Sequence, residues 1–270
     1  MRSCSIVMID FTLSLIAMGE SSMYRKLKIQ PPFFEIGPKS YLYGDDVLKL
    51  AKIADAASAK YGVNIIFTTP YPDIRMVAQE TRHLFVFAPH MDPLHIGRGL
   101  ADILPESIKA AGAVGVMLNH CEKPLSLSVL RRTIKRADEV GLMSIVCADS
   151  IEEAQAIALM EPNIIVAEPT KLIGTGKTSD TDYVHESINA IKSINSDIMV
   201  LQGAGISSGK DVYNIIFAGA EATGSSSGII KAPDSAAMVD EMIRAVREAW
   251  DARKNSPLCS QSLNNRRSQK

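Results

Sequence analysis

The feature that most constrains the fold is a regular alternation, from Phe33 onward, of short apolar runs with longer amphipathic segments. Several runs, such as residues 65–67 and 164–166, are apolar throughout, which is typical of parallel strands buried on both faces of a sheet. The runs predict eight strands, at residues 33–37, 63–68, 84–87, 114–119, 142–147, 163–167, 198–202 and 221–224. The alternation therefore predicts an α/β protein, a (β/α)8 barrel. An open doubly wound sheet is the alternative, but no G-x-G-x-x-G follows the first strand.

The segments between the runs carry apolar residues three and four positions apart, the spacing of one face of a helix. The clearest repeats are Val47, Leu50, Ala51 and Ala54 near the start and Val239, Met242, Ile243 and Val246 near the end. Residues that can open or cap a helix are Asp45, Pro105 with Glu106, and Ser150. Glycines that can end one are Gly62, Gly112 and Gly141. Each helix is expected to cover one face of the sheet.

The 270 residues are enough for one sizeable core, and residues 23–253 are expected to form a single domain. The apolar run inside residues 1–22 is interrupted by Asp10 and is shorter than the roughly 20 residues that a membrane-spanning helix needs. We expect residues 1–22 to be an extension outside the fold, with Met23 as the natural start, although a signal peptide is an alternative. The polar residues 254–270 predict a disordered tail.

Charge and cysteine content favour a small-molecule ligand and a cytoplasmic protein. The 29 basic residues nearly balance the 30 acidic ones, so no electrostatic argument favours nucleic acid or a membrane as a partner. The four cysteines are scattered without a C-x-x-C pair, as expected of reduced thiols in the cytoplasm. His90 and His95 lack metal-ligand spacing to other candidates. We therefore interpret both histidines as structural or peripheral and expect no metal ion.

In a barrel of this kind the active site lies at the carboxyl ends of the strands, so the polar residues after each run are informative. Glu168 follows a buried run and precedes Pro169, which should hold its carboxylate at the barrel mouth with raised basicity. His120 ends the fourth run before a predicted helix start, whose dipole would favour a neutral imidazole. Lys39 follows the first run. Taken singly, a structural role is the commoner one for such a glutamate or histidine.

Three turns rich in glycine and serine follow the sixth, seventh and eighth runs, at residues 173–177, 203–209 and 225–228. Backbone N–H groups of the loops after strands 7 and 8 of a barrel recurrently hold phosphate. The candidate phosphate-binding residues are Gly174, Gly203, Gly205, Ser207, Ser227 and Gly228. One such turn would be weak evidence, but three in successive loops predict an anionic ligand.

Together these residues form a pattern that resembles the triosephosphate isomerase family, especially its compact archaeal branch, over roughly residues 33–247. The most specific match is V-A-E-P-T-K-L-I-G-T-G-K-T at residues 166–178, which is similar to the family's catalytic glutamate, mobile lid and hinge. L-P-E at 104–106, G-A-V-G leading to N-H-C-E-K within 112–123, and G-A-G-I-S at 203–207 support it. The resemblance implies a TIM barrel that interconverts dihydroxyacetone phosphate and glyceraldehyde 3-phosphate through an enediolate, without a cofactor.

The resemblance also implies a role for each residue. Glu168 would be the base, His120 would polarise the carbonyl group, and Lys39 would attract the substrate and balance the enediolate charge. Glu122 corresponds to the family's second glutamate. The lid would comprise Pro169, Thr170, Lys171, Leu172, Ile173, Gly174, Thr175 and Gly176. The long third loop, residues 90–104, implies a homo-oligomer, either a dimer or a tetramer, because this loop completes a neighbour's site in the family.

Four positions depart from the family's pattern. Gly37 replaces an asparagine two residues before the lysine, Cys121 replaces a serine, Lys123 replaces an arginine, and Leu100 lies in a loop that usually carries a threonine. Two alternatives therefore stay open. One is an isomerase of another short sugar phosphate, such as a tetrulose phosphate, and the other is a barrel that binds phosphate esters without catalysis. A binding protein needs no base, so the catalytic trio argues against the second.

Overall fold

The structure, a computed structural model, describes residues 29–172 and 181–255. Its centre is a closed barrel of eight parallel strands in chain order, in which β1 pairs with both β2 and β8. The strands are β1 (Phe33–Ile36), β2 (Asn64–Thr68), β3 (Leu84–Ala88), β4 (Gly115–Leu118), β5 (Met143–Ala148), β6 (Ile164–Ala167), β7 (Met199–Gln202) and β8 (Ala222–Ser225). The predicted (β/α)8 barrel is confirmed, and each predicted strand end lies within one residue of the observed one.

Helices alternate with the strands along the chain. They are α1 (Asp45–Tyr61), α2 (Ile74–Glu80), α3 (Pro105–Ala111), α4 (Leu127–Val140), α5 (Ile151–Ala158), α6 (Thr181–Ile194), α7 (Gly209–Phe217), α8 (Ser227–Ile230) and α9 (Ser235–Lys254). Short 3-10 helices lie at Tyr71–Asp73 and Thr170–Leu172. Among the helices that the structure describes, none is both long enough and apolar enough to cross a membrane.

Several helix ends lie where local sequence signals predict them. The Ser150 hydroxyl accepts a hydrogen bond from the N–H of Glu153 and caps α5, while Asp45 and Pro105 are the first residues of α1 and α3. Gly62, Gly112 and Gly141 take the left-handed conformation directly after α1, α3 and α4. Because a side chain makes that conformation costly, glycine is the residue that ends these helices at the least cost.

The apolar residues form an inner and an outer core, one on each face of the sheet. Phe33 belongs to the inner core, which fills the barrel with side chains such as Ile66 and Phe87. Phe34 and Ile36 belong to the outer core between the strands and the helices. Because successive side chains of a strand point to opposite faces, this alternation on β1 places residue 35 inside the barrel, one layer nearer the mouth than Phe33.

The predicted terminal segments lie almost wholly outside the part of the chain that the structure describes. This applies to residues 1–22 and to the tail beyond residue 255. The last helix, α9, includes Lys254, the first residue of the predicted tail. The bounds of the extension, of the domain at 23–253 and of the tail stay predictions.

Candidate active site

Glu168 lies at the barrel mouth directly after β6. Its backbone N–H donates to the carbonyl oxygen of Ala148, 3.0 Å away, which extends the sheet by one residue. Its carboxylate Oε1 accepts a hydrogen bond of 2.9 Å from the N–H of Ala204, in the loop after β7. Burial raises the pKa of Glu168, against the Ala204 hydrogen bond and the charge of Lys39, which both lower it. A raised pKa makes an ionised carboxylate a stronger base.

Lys39 lies in the loop after β1 with a left-handed backbone, φ 49°. Its Nζ is 2.9 Å from Oε1 of Glu122, in the loop after β4. Burial lowers the pKa of Lys39, but the hydrogen bond to Glu122 and the charges of Glu122 and Glu168 outweigh burial and raise it. The same hydrogen bond lowers the pKa of Glu122. The two side chains are therefore a charged pair across the mouth of the barrel.

His120 is held as a neutral imidazole by a backbone group. Its Nδ1 accepts a hydrogen bond of 3.1 Å from the N–H of Glu122, so the ring proton belongs on Nε2. Burial lowers the pKa of His120, and the charge of Lys39 lowers it further. The predicted helix start after His120 is wrong, because α4 begins only at Leu127. A turn comes first, closed by the Lys123 N–H on the His120 carbonyl at 2.7 Å, and this turn supplies the donor that fixes the ring.

These side chains act on one another, although they come from three different loops. The charge of Lys39 affects the pKa of Glu122, Glu168 and His120. The structure therefore brings together the carboxylate, the imidazole and the ammonium group that the sequence predicted, with Glu122 between the last two. Such a set can accept a proton from carbon and stabilise the negative charge that results on oxygen.

Asn119 is a site residue that the sequence analysis missed. Its Nδ2 donates to the Cys147 carbonyl at 3.0 Å and to Oε1 of Glu153 at 3.1 Å, and its Oδ1 accepts from the Leu125 N–H at 2.9 Å. Its φ is 55°, a left-handed value that asparagine tolerates better than most residues. The residue ties the loop that carries His120 to β5 and α5. An asparagine at the end of a buried strand was the available signal.

The loops after β7 and β8 pack tightly against each other. Ser225 Oγ donates to the Ile206 carbonyl at 2.9 Å, and a Cβ added to Gly228 would lie 2.5 Å from that same carbonyl oxygen. Ser207 uses both its N–H and its hydroxyl to bond Oδ2 of Asp211, each at 3.0 Å. Of the predicted phosphate-binding residues, Gly203, Gly205 and Ser207 thus lie in the loop after β7, and Ser227 and Gly228 are the first two residues of the adjoining α8, with Ser207 already bonded internally.

The predicted lid is only partly within the described residues. Pro169 follows Glu168, and its carbonyl accepts the N–H of Leu172 at 2.8 Å, which forms the 3-10 turn at Thr170–Leu172. Lys171 is exposed within this turn. The other predicted lid residues, Ile173, Gly174, Thr175 and Gly176, lie outside the described residues, and so does the phosphate-binding role predicted for Gly174.

Glu35 is a second residue that the sequence analysis missed. It is the one charged residue of β1 and lies on the inner face of the barrel. Burial raises the pKa of Glu35 to about 7. The charge of Glu168 raises this pKa as well, whereas the Thr68 hydroxyl and the charge of Lys39 lower it. A lone charge inside an apolar strand was the signal. The charge of Glu168 therefore acts on a second carboxyl group on the inner face of the barrel.

A closed barrel with a buried carboxylate, a neutral imidazole and an ammonium group at its mouth defines the class of protein: an isomerase that moves a proton next to a carbonyl group. The model of the family described as triosephosphate isomerase matches residues 39–246. The chain belongs to the triosephosphate isomerase family, and the predicted resemblance is confirmed.

Relatives and a solved structure agree with this assignment. Triosephosphate isomerase of Methanosarcina barkeri is 36% identical over 220 residues, which are 80% of this chain and 99% of the relative. That of Sulfurisphaera tokodaii is 35% identical over 231 residues, 84% of this chain and 100% of the relative. The crystal structure of triosephosphate isomerase from Bartonella henselae superimposes on this chain with a TM-score of 0.66 at 16% sequence identity. The superposition covers 81% of this chain and 100% of that chain. This last likeness concerns the fold.

Proposed function

We propose that this protein interconverts dihydroxyacetone phosphate and D-glyceraldehyde 3-phosphate, with Glu168 as the base and without a cofactor. The observation that carries the proposal is the meeting of three groups at one end of the barrel. They are a carboxylate whose pKa burial raises, an imidazole with its proton on Nε2, and a charged ammonium group. Relatives named triosephosphate isomerase align over almost their whole length, which supports the choice of substrate.

In the proposed reaction, the Glu168 carboxylate takes a proton from the carbon next to the substrate's carbonyl group. The electron pair of the broken C–H bond moves into the carbon skeleton and leaves a negative charge on the carbonyl oxygen. His120 donates a hydrogen bond to that oxygen through Nε2, and Lys39 balances the charge. The hydroxyl proton on the neighbouring oxygen then moves to the oxygen that carried the negative charge, and Glu168 returns its proton to the former carbonyl carbon. The former hydroxyl carbon becomes the new carbonyl carbon, which completes the exchange of aldose and ketose. No net proton or electron is consumed.

The phosphate group is proposed to lie against the two packed loops after β7 and β8. Gly203, Gly205, Ser207, Ser227 and Gly228 would present backbone N–H groups or hydroxyls to it, and Gly174 would join them from the lid. The Ser207 N–H would have to exchange its bond to Asp211 for one to phosphate. The lid from Pro169 to Gly176 would exclude water, since exposed intermediates of this kind lose phosphate by elimination.

Glu168→Gln tests the central role directly. The variant keeps the shape of the side chain and can still bond Ala204, but it cannot accept a proton. We expect kcat to fall by about a thousandfold or more, because general base catalysis contributes roughly 10²–10⁴, while calorimetry shows dihydroxyacetone phosphate binding within a few fold of the parent. Glu248→Gln, an exposed glutamate on α9, is the matched control and should leave kcat unchanged. A Glu168→Gln enzyme within tenfold of the parent would contradict the proposal.

The substrate and the presence of catalysis are tested with a substrate panel. Gly37 and Leu100 depart from the family's pattern and motivate the alternative of a tetrulose phosphate. We expect kcat/KM for the triose phosphates to exceed that for a tetrulose phosphate. The opposite order would favour the alternative isomerase. A parent protein that binds sugar phosphates but turns none over would favour the phosphate-ester-binding barrel.

We further propose that the protein is a cytoplasmic homo-oligomer, either a dimer or a tetramer. Loop 90–104 carries two exposed large apolar residues, Ile96 and Leu100, which a partner subunit would cover in an oligomer. Cys121 and Cys147 are both unpaired thiols among the described residues, as expected in a reducing compartment. Sedimentation velocity should show an oligomer for the parent and a smaller species for Leu100→Glu. A fully active monomeric parent would contradict this part.

A further inference from the structure

The carboxyl group of Glu35 has no role in the reaction as proposed so far, yet it lies in the same barrel mouth. We propose that Glu35 is a substrate-binding residue, whose carboxyl group in its protonated form donates a hydrogen bond to an oxygen at the carbonyl end of the sugar phosphate. This inference rests on the proposed function and deepens it, because it adds a donor to the trio of Glu168, His120 and Lys39.

The space around Glu35 is shaped by two glycines. Glu35 pairs with Gly224 on β8, and a Cβ added to Gly224 would lie 3.0 Å from its Cβ and 3.2 Å from its Oε2. A Cβ added to Gly37, farther along the same chain, would lie 3.0 Å from its Oε1. A side chain at either position would therefore clash with Glu35, and the two glycines leave space for its carboxyl group. Gly37 is also the position where the family resemblance predicts an asparagine, a residue that can donate through its amide.

Among the described residues, apolar side chains close the barrel interior below Glu35, so a ligand would reach it from the mouth. The residue is half-buried, while Phe33, two residues earlier on the inner face of β1, and Ile66, its paired residue on β2, are both 0% exposed. A carboxyl group above a closed apolar layer meets solvent or substrate from above. This is the side on which Glu168 and Lys39 act on it electrostatically.

The hydrogen bonds of Glu35 are incomplete. Its Oε1 is fully buried and meets no donor at hydrogen-bond distance and angle among the described residues, although the Thr68 hydroxyl lies near enough to lower the pKa of the carboxyl group. A buried ionised oxygen without a donor is costly, whereas a protonated carboxyl group loses less on burial and gains an O–H donor of its own. The carbonyl and hydroxyl oxygens of a sugar phosphate are acceptors that would complete the bonding.

Three charged or titratable groups face Glu35: Glu168 after β6, Lys39 after β1 and Cys147 of β5. The charge of Glu168 favours the protonated form of Glu35 and the charge of Lys39 opposes it, while Glu35 itself raises the pKa of Cys147. Two neighbouring carboxyl groups rarely ionise together, and the better hydrogen-bonded one ionises first. Glu168 accepts the Ala204 N–H, and Oε1 of Glu35 has no such donor. Glu168 is thus free to be the ionised base while Glu35 keeps its proton.

The test compares Glu35→Ala and Glu35→Gln in the full chain by kcat/KM for dihydroxyacetone phosphate from pH 5.5 to 9. We expect Glu35→Ala to lose about tenfold at pH 6, the effect of one hydrogen bond, and Glu35→Gln to regain at least about threefold over Glu35→Ala, since an amide also donates. In the parent, kcat/KM should decline as the pH rises through about 7. In Glu35→Gln that decline should be absent, because an amide does not titrate.

A second arm uses Gly37→Asn. Added to the parent, the asparagine meets the Glu35 carboxyl group and should lower kcat/KM. Added to Glu35→Ala, it should raise kcat/KM by several fold, because the amide then has the vacated space. The matched control is Ser187→Ala, a buried polar residue of α6 that accepts a hydrogen bond from Gln202; this variant should leave the pH profile unchanged.

Three results would overturn the inference in an active parent: parent-like kcat/KM in Glu35→Ala, equal losses at pH 6 in Glu35→Gln and Glu35→Ala, or a decline above pH 7 that survives in Glu35→Gln. The third result needs only Glu35→Gln, which keeps the shape of the side chain, so it tests the inference even if Glu35→Ala fails to fold. An inactive parent would refute the proposed function instead. Calorimetry with dihydroxyacetone phosphate then judges Glu35 alone: weaker binding in Glu35→Ala supports the inference and unchanged binding overturns it.

Discussion

Replacing Glu35 by glutamine should remove a pH dependence of stability that the folded barrel creates. In the unfolded chain this carboxyl group loses its proton near its ordinary pKa of 4.5, but in the folded protein burial raises its pKa to about 7. Between these values the folded protein binds more protons than the unfolded chain, so the free energy of unfolding of the parent falls as the pH rises. Glutamine has no proton to lose and makes no such contribution.

The size of the effect follows from the two pKa values. Each factor of ten in proton affinity corresponds to about 1.36 kcal/mol, so a rise from 4.5 to about 7 gives on the order of 3 kcal/mol. Because Glu35 is half-buried rather than fully enclosed, solvent reduces this, and we expect about 2–3 kcal/mol. The penalty is nearly absent below pH 4.5 and complete above pH 7. Relative to the parent, Glu35→Gln should therefore gain stability with rising pH.

Urea unfolding followed by circular dichroism at pH 4.5 and pH 8.5 measures this difference for both proteins. Glu248→Gln controls for the loss of an exposed carboxylate and should show the same difference from the parent at both pH values. If the difference between Glu35→Gln and the parent changes by less than about 0.5 kcal/mol across this range, then Glu35 is ionised at the same pH in the folded and unfolded states. That result would refute the reasoning about its surroundings.

Three further variants test other contacts of the site. Asn119→Ala removes three hydrogen bonds at a left-handed residue and should lower the free energy of unfolding by about 2–4 kcal/mol and kcat as well; normal thermal stability would contradict this. Gly228→Ala places a Cβ 2.5 Å from the Ile206 carbonyl oxygen and should weaken inorganic phosphate binding by calorimetry about tenfold; unchanged affinity would show that the loops yield without cost. Glu122→Gln removes the charge beside Lys39 and should lower the pKa of Lys39, so that kcat/KM loses its dependence on the charged ammonium group at a lower pH. This loss is distinct from the decline near pH 7 assigned to Glu35. Stability should change by under about 1 kcal/mol because the Glu122 side chain is 65% exposed; an unchanged loss at high pH would contradict the coupling of Glu122 to Lys39.

Much of the fold could be predicted from the sequence because its signals are local. The buried strands are short apolar runs, and left-handed glycines end helices by their own conformational freedom, as at Gly62 and Gly141. Glu168 could be found because it directly follows such a run and thus lies at the mouth of any barrel built from these strands. A residue whose position depends only on where one strand ends can be predicted from the sequence.

The parts that could not be predicted depend on contacts between distant segments. The neutral state of His120 was expected from a helix dipole, but a backbone N–H in a turn provides it, and turn geometry is not encoded in an apolar pattern. Glu35 was overlooked because its surroundings include Gly224 from the last strand, which only barrel closure brings beside it. Its altered pKa is a property of that closed barrel rather than of β1.

Glu122, in the loop after β4, contacts two site residues, one through its backbone and one through its side chain. Glu122 positions the imidazole through its peptide nitrogen and the ammonium group through its carboxylate. Side-chain replacements at this position leave the first task untouched, whereas insertion or deletion of one residue in the turn would uncouple both at once. The loop therefore tolerates varied chemistry, as Cys121 and Lys123 illustrate, but its length is constrained.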